Sequence, residues 1–186
     1  MRDFPRWVEG NGLGIRQLVG LGRVERLRPR AVADQLGVLV SFPHDVPDLR
    51  TRSLAQLEAV DPEGWSGASA ILPDGRLAVI LNPQDTFTRQ NITLMEEIVH
   101  EYLGHRPSLK ADGNTGLALR GFNRSCEKQA YAVAAAAILP ASRLELLARE
   151  GLTVAEIAAQ DEVSPQLVSY RINVAGVREL TVPGRR

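Results

Sequence analysis

Between residues 14 and 37, apolar side chains recur three or four positions apart (Ile15, Leu18, Val19; Val24, Leu27; Val32, Leu36), with breaks at Gly20, Gly22 and Pro29. This is helical spacing. Gly37 reads as a helix stop. The next five residues, Val38-Leu39-Val40-Ser41-Phe42, read as a short buried strand ended by Pro43. Residues 49–60 return to a helical period. Two β-rich runs, 66–72 and 76–82, flank Pro73-Asp74-Gly75, which is strong turn chemistry and predicts a hairpin. From Asn82-Pro83 onward the pattern is helical. It predicts a long helix over 88–103, closed by Gly104 and Pro107, then a polar, glycine-containing loop over 110–121. An alanine-rich helix follows over 123–139, stopped by Pro140. Three further helix starts are marked by Ser142-x-x-Glu145, Thr153-x-x-Glu156 and Ser164-Pro165. Pro5, Gly10 and Gly12 mark residues 1–12 as a flexible arm, and residues 183–186 read as frayed. A helix, three strands and a run of helices make an α+β fold, in one domain over 13–182.

Composition narrows the classes. Hydrophobic residues make up 44% and charged residues 24%, which excludes a disordered, collagen-like or disulfide-scaffold chain. Lys+Arg and Asp+Glu are 22 each, so the net charge is zero. That balance argues against whole-surface binding to nucleic acid or to an anionic membrane. The longest apolar run, around 131–139, is too short to cross a bilayer, and residues 1–20 carry no apolar signal-peptide core. The single cysteine, Cys126, has no partner for an internal bridge. These features read as a cytoplasmic protein. Arg16, Arg23, Arg26, Arg28 and Arg30 read as a solvated basic face, with docking to an acidic partner as the functional alternative.

The chemistry concentrates in residues 93–105, Thr-Leu-Met-Glu-Glu-Ile-Val-His-Glu-Tyr-Leu-Gly-His, which hold two of the three histidines. Two metal pairs compete there. His100 and His105 are five residues apart, roughly 140° around a helix, and share a face only if the helix breaks at Gly104. Glu96 and His100 are four apart, roughly 40°, and point the same way without distortion. In that second, preferred reading Glu97 follows the first ligand, as the base glutamate does in H-E-x-x-H.

Residues 93–108 resemble the core of the ImmA/IrrE metallopeptidases, H-E-x-x-H followed by a Leu-Gly-His-like tail. The pattern here is Glu96-Glu97-Ile98-Val99-His100, then Leu103-Gly104-His105. Glu96 stands where the family has its first metal-binding histidine. Glu97 falls on the general base and His100 on the second histidine ligand. The family's third ligand comes from the next long helix. Here that stretch runs from Glu127 through Ala130, Ala134 and Leu139 to Pro140, and Glu127 is the matching position. The resemblance implies a minimal zincin-like domain with a small, mostly antiparallel three-stranded sheet and a helical C-terminal part. It further implies an intracellular metal-dependent endopeptidase that uses Zn2+; the harder oxygen of Glu96 shifts preference toward Mn2+ or another divalent ion. The partner would be a protein substrate, typically a helix-turn-helix repressor whose loss switches on a stress or mobile-element response. Glu96, His100 and Glu127 would hold the metal, and Glu97 would take a proton from bound water.

The glutamate at 96 alters the electrostatics. With one imidazole and two carboxylates a divalent site is neutral, so it acidifies its water less than a two-histidine site does. A weak or inactive peptidase-like binding module is therefore the alternative reading. His105 reads as a residue that supports or caps the site, His44 as a surface loop residue, and Tyr131 as packing with an oxyanion donor as its alternative. Cys126 beside Glu127 carries no role of its own. Residues 153–175 have helix-turn-helix spacing. Against Glu156, Asp161 and Glu162 they hold only Arg171, a poor balance for DNA. No direct nucleic-acid or membrane partner is expected.

Overall fold

The structure, a computed structural model, describes residues 3–45, 65–105, 109–111, 118–120 and 124–177. The helix expected over 49–60 and the frayed end at 183–186 lie outside the described residues.

The described residues open with a helix, α1 (Asp3–Leu18), where a flexible arm over 1–12 was expected. Val8 and Ile15 on its inner face are buried. The glycines that suggested disorder serve close packing instead. A Cβ placed on Gly12 would stand 2.8 Å from the Ala136 carbonyl carbon and the Ala137 nitrogen. Only a residue without a side chain lets the two backbones approach that far. A short helix α2 (Pro29–Gln35) follows. Pro29, read as a break, opens it, where a missing N–H leaves nothing unpaired.

The first strand, β1 (Leu39–Ser41), is an edge strand among the described residues and not a buried one, with Leu39 exposed. Strands β2 (Gly67–Ile71) and β3 (Leu77–Leu81) form the expected hairpin, antiparallel with Gly67 opposite Leu81. The order is β1-β3-β2, and β1 runs parallel to β3, so the sheet is mixed where a mostly antiparallel one was expected. The parallel pairing follows from the long connection between β1 and β2, which a tight hairpin would not need. Leu77, Val79 and Leu81 of the central strand are buried beneath the long helix α3 (Phe87–Tyr102). Asn82 turns the chain between them. Its amide donates to the Trp65 carbonyl at 2.8 Å and its Oδ1 accepts from the Gln84 N–H at 2.9 Å.

The loop expected over 110–121 contains two short antiparallel strands, β4 (Leu109–Ala111) and β5 (Ala118–Arg120). The alanine-rich helix α4 (Arg124–Ile138) then crosses the centre of the molecule, packed against α1 on one side and α3 on the other. Helices α5 (Ala141–Arg149), α6 (Val154–Asp161) and α7 (Pro165–Ala175) complete the fold. Thr153 and Glu156 form the expected reciprocal cap, and Ser164 caps α7. The start expected at Ser142 lies two residues earlier, at Pro140, because the Ala141 N–H is taken by the Glu9 carboxylate at 2.6 Å.

Two arginines are structural: Arg16, read from the sequence as part of a solvated face, and Arg171, the one basic residue of 153–175. Arg16 is fully buried and donates to the carbonyls of Gly22 at 2.9 Å and Ala137 at 2.6 Å, and also to that of Glu25. Burial, and then the nearby Arg143, lower its pKa. Arg171 is buried too, donating to the Leu139 carbonyl at 2.9 Å and to Glu9 at 2.7 Å. Arg16 thus meets a carbonyl in the last turn of α4 and Arg171 the carbonyl just past its end, placing two cations at the negative end of the helix dipole. Arg171 therefore points inward and not toward any phosphate. The solvated-face reading holds for Arg23 and Arg28, which are exposed.

Candidate metal centre

The candidate residues lie on the facing sides of α3 and α4, with β2 along one flank. Register explains the flank. Two residues along a strand advance about 6.6–6.8 Å and four along a helix about 6.0 Å. Gly67 therefore meets Thr93, whose Cγ2 would lie 2.6 Å from a Cβ at that glycine, and Ser69 meets Glu97. The Ser69 hydroxyl donates to Glu97 Oε2. The glutamate expected as general base is thus anchored by a hydroxyl on the sheet edge. Ser69 is a site residue that the sequence reading missed. Its position two residues after Gly67 in an alternating run is the signal that could have found it.

His100 is buried in the last turn of α3, and its Nε2 lies 3.3 Å from Glu127 Oε2, in the first turn of α4. The two residues expected to act from separate helices are brought together. Glu96 sits one turn before His100. Burial pushes its carboxyl up to about 7, helped by the Glu97 and Glu127 carboxylates and opposed by the Arg89 guanidinium. Glu96, Glu97 and Glu127 therefore share one electrostatic neighbourhood. Among the described residues no group of three His, Cys, Asp or Glu side chains is disposed as a ready cage for an ion.

Two donors nevertheless fit. Metal–nitrogen and metal–oxygen bonds of about 2.0–2.2 Å put two ligands of one tetrahedral ion roughly 3.3–3.6 Å apart. A direct charge-assisted hydrogen bond closes to about 2.7–2.9 Å. The 3.3 Å between His100 Nε2 and Glu127 Oε2 accommodates the first spacing, and is also within reach of a long hydrogen bond. Glu96, half-buried one turn away, places a third oxygen donor on the same helix, its carboxyl raised chiefly by burial.

His105 joins the site through a helix stop. The His105 N–H donates to the His100 carbonyl at 2.9 Å and the Gly104 N–H to that of Glu101 at 3.0 Å, with Gly104 at φ +67°. This paired closure folds the residue after the glycine back over the last turn. The break at Gly104 thus brings His105 Nδ1 to 3.2 Å from His100 Nδ1, although five residues separate them. His105 Nε2 lies 3.1 Å from Gln129 Oε1 on α4. Gln129 is a second residue the sequence reading missed. Tyr131, one turn beyond Glu127, packs against Tyr170 with the rings tilted at 56° and 5.3 Å between centroids, and its pKa is raised by burial and by Glu96. His44 is exposed beside Asp45, and Cys126 forms no disulfide.

Residues 46–173 match the family model of Peptidase M78, the IrrE N-terminal-like domain. The chain belongs to this family. The matched stretch contains the β2–β3 hairpin, α3 and α4, and reaches most of α7, while α1, α2 and β1 precede it. A search of curated proteins finds no match to the chain. The M78 family is one of metallopeptidases, and the fold is a small zincin-like α+β domain. No single helix among the described residues is long and apolar enough to cross a membrane.

Proposed function

We propose that this M78 protein is a cytoplasmic metal-dependent endopeptidase that cuts a protein partner, a helix-turn-helix transcriptional repressor. The observation that carries the reading is the meeting of His100 and Glu127 across α3 and α4 at ligand spacing, beside an anchored Glu97. His100, Glu127 and Glu96 would hold the ion, zinc by preference. When bound, the ion supplies an acidified water and a Lewis acid for the peptide carbonyl. Glu97, steadied by Ser69, accepts the proton of the attacking water and passes it to the leaving amine. Among the described residues β2 pairs on one side only, so an extended peptide can add to its outer edge by main-chain hydrogen bonds, next to Glu97.

Metal analysis of the purified protein tests the site. The parent should hold about one divalent ion per chain and Glu127→Ala should hold little. Glu96→His should bind zinc more tightly than the parent, and unchanged affinity would remove position 96 from the ligand set. Glu97→Gln should keep the metal yet lose ~10²–10⁴-fold of repressor cleavage, the usual worth of general-base assistance. Repressor binding without cleavage by the metal-loaded parent would instead identify a binding module.

A further inference from the structure

His105 and Gln129 touch neither Glu96 nor Glu97 in any contact described above, but they meet His100 through its Nδ1. A neutral imidazole has one N–H and one acceptor nitrogen. Three contacts run in series: Gln129 Oε1 to His105 Nε2 at 3.1 Å, His105 Nδ1 to His100 Nδ1 at 3.2 Å, and His100 Nε2 to Glu127 Oε2 at 3.3 Å. Along these three contacts, the group that donates at one end sets the direction of the next.

With the Gln129 carbonyl oxygen facing His105, Nε2 of His105 must donate. Its Nδ1 must then accept, so His100 donates from Nδ1 and presents a bare Nε2 to Glu127. Two acceptors then face each other, an arrangement that only a cation or a proton between them makes favourable. When the Gln129 amide turns over, its NH2 donates to His105 Nε2. His105 Nδ1 then donates to His100 Nδ1, and His100 Nε2–H donates to Glu127. This second direction is complete without an ion. A glutamine suits both directions because its amide ends are a donor and an acceptor of nearly equal shape.

Resting on the metal reading above, we propose that His105 and Gln129 are positioning residues which set the tautomer of His100, and that an amide flip at Gln129 reverses the relay when the site loads. In the reversal the His105 Nδ1 proton passes to His100 Nδ1. The His100 Nε2 proton leaves to solvent, and His105 Nε2 takes one up. Each ring keeps one proton, so the two imidazoles release none in total.

The test uses the full chain with zinc chloride alone, at about pH 8, where ordinary histidines are neutral. Nitrogen-15 histidine spectra should show the His105 proton on Nδ1 without zinc and on Nε2 with it. Gln129→Met, shape-matched but unable to hydrogen-bond, should weaken zinc ~10–100-fold, the usual effect of losing a partner that orients a ligand. Gln129→Glu, acceptor only, should return the affinity to at least that of the parent and show His105 protonated on Nε2 before zinc is added. The proposal is overturned if zinc binds and the His105 proton does not move, or if His105 itself shows a metal-ligation shift. It is also overturned if Gln129→Met binds zinc like the parent, or if Gln129→Glu binds no better than Gln129→Met. If Gln129→Met does not fold, the parent and Gln129→Glu spectra decide alone. Failure of the parent to bind zinc overturns the metal reading and this relay together; bound zinc with an unmoved His105 proton overturns the relay alone.

Discussion

The Glu96 carboxyl, raised in the folded chain from 4.5 to about 7, makes folding depend on pH. The folded state holds this proton more tightly than the unfolded one. The stability it contributes is therefore fully present below about 4.5 and is lost as pH rises through about 7, at most about 3 kcal/mol. In metal-free protein the urea midpoint should fall between about pH 5 and 8, and Glu96→Gln should remove most of that fall. Equal slopes for both proteins would show that Glu96 is not the group responsible. Saturating zinc should flatten the parent's slope, because a bound cation favours the ionised carboxylate. That Glu96 shares a helix face with His100 was legible, since residues four apart on one helix point the same way. Its raised pKa was not legible, because it depends on burial and on a carboxylate 31 residues further along the chain.

Between elements, the closure at Gly104 decides whether His105 reaches His100. The Leu-Gly-His string marked the helix end correctly, but only the left-handed glycine at φ +67° turns the chain so that the imidazoles meet. Gly104→Ala should cost about 1–2 kcal/mol, the strain of a side chain in that conformation. It should also weaken zinc, whereas Gly37→Ala, equally strained at φ +69° but remote from the site, should leave zinc affinity unchanged. Equal losses in both variants would deny Gly104 a role in the site. The β2–β3 hairpin, α3, α4, α6 and α7 were readable because hydrophobic period and turn or cap residues agreed there. The parallel pairing of β1 was not readable, since pairing partners distant in sequence leave no local pattern. Ser69 and Gln129 escaped for a related reason: each acts through a residue on another element.

Across the whole molecule, buried arginines tie the N-terminal helix to the C-terminal helices around the end of α4. Arg143 adds a third tie, donating to Asp161 at 2.8 Å and to the Val24 carbonyl at 2.6 Å. Arg171→Ala would leave the Leu139 carbonyl and Glu9 short of a partner, and should destabilise the fold by about 2–3 kcal/mol. A gel shift with duplex DNA should be absent before and after the substitution. Salt-dependent binding lost in the variant, with stability unchanged, would revive a DNA-reading role for α7. The basic stretch misled the sequence reading because an arginine on a helical face looks alike whether it meets water or a carbonyl 121 residues away.

That separation has a consequence for synthesis. Arg16 leaves the ribosome well before Ala137, and at roughly 5–20 residues per second the delay is about 6–24 s. During that interval Val8 and Ile15 have no alanine-rich helix to cover them. The N-terminal helix is then a transient client for chaperones and a site for premature proteolysis. Ribosome-arrested chains that end before Ala137 should be cut rapidly within α1, and chains long enough to expose all of α4 and α7 should be protected. Equal sensitivity at both lengths would mean that α1 is shielded by something other than its native partners.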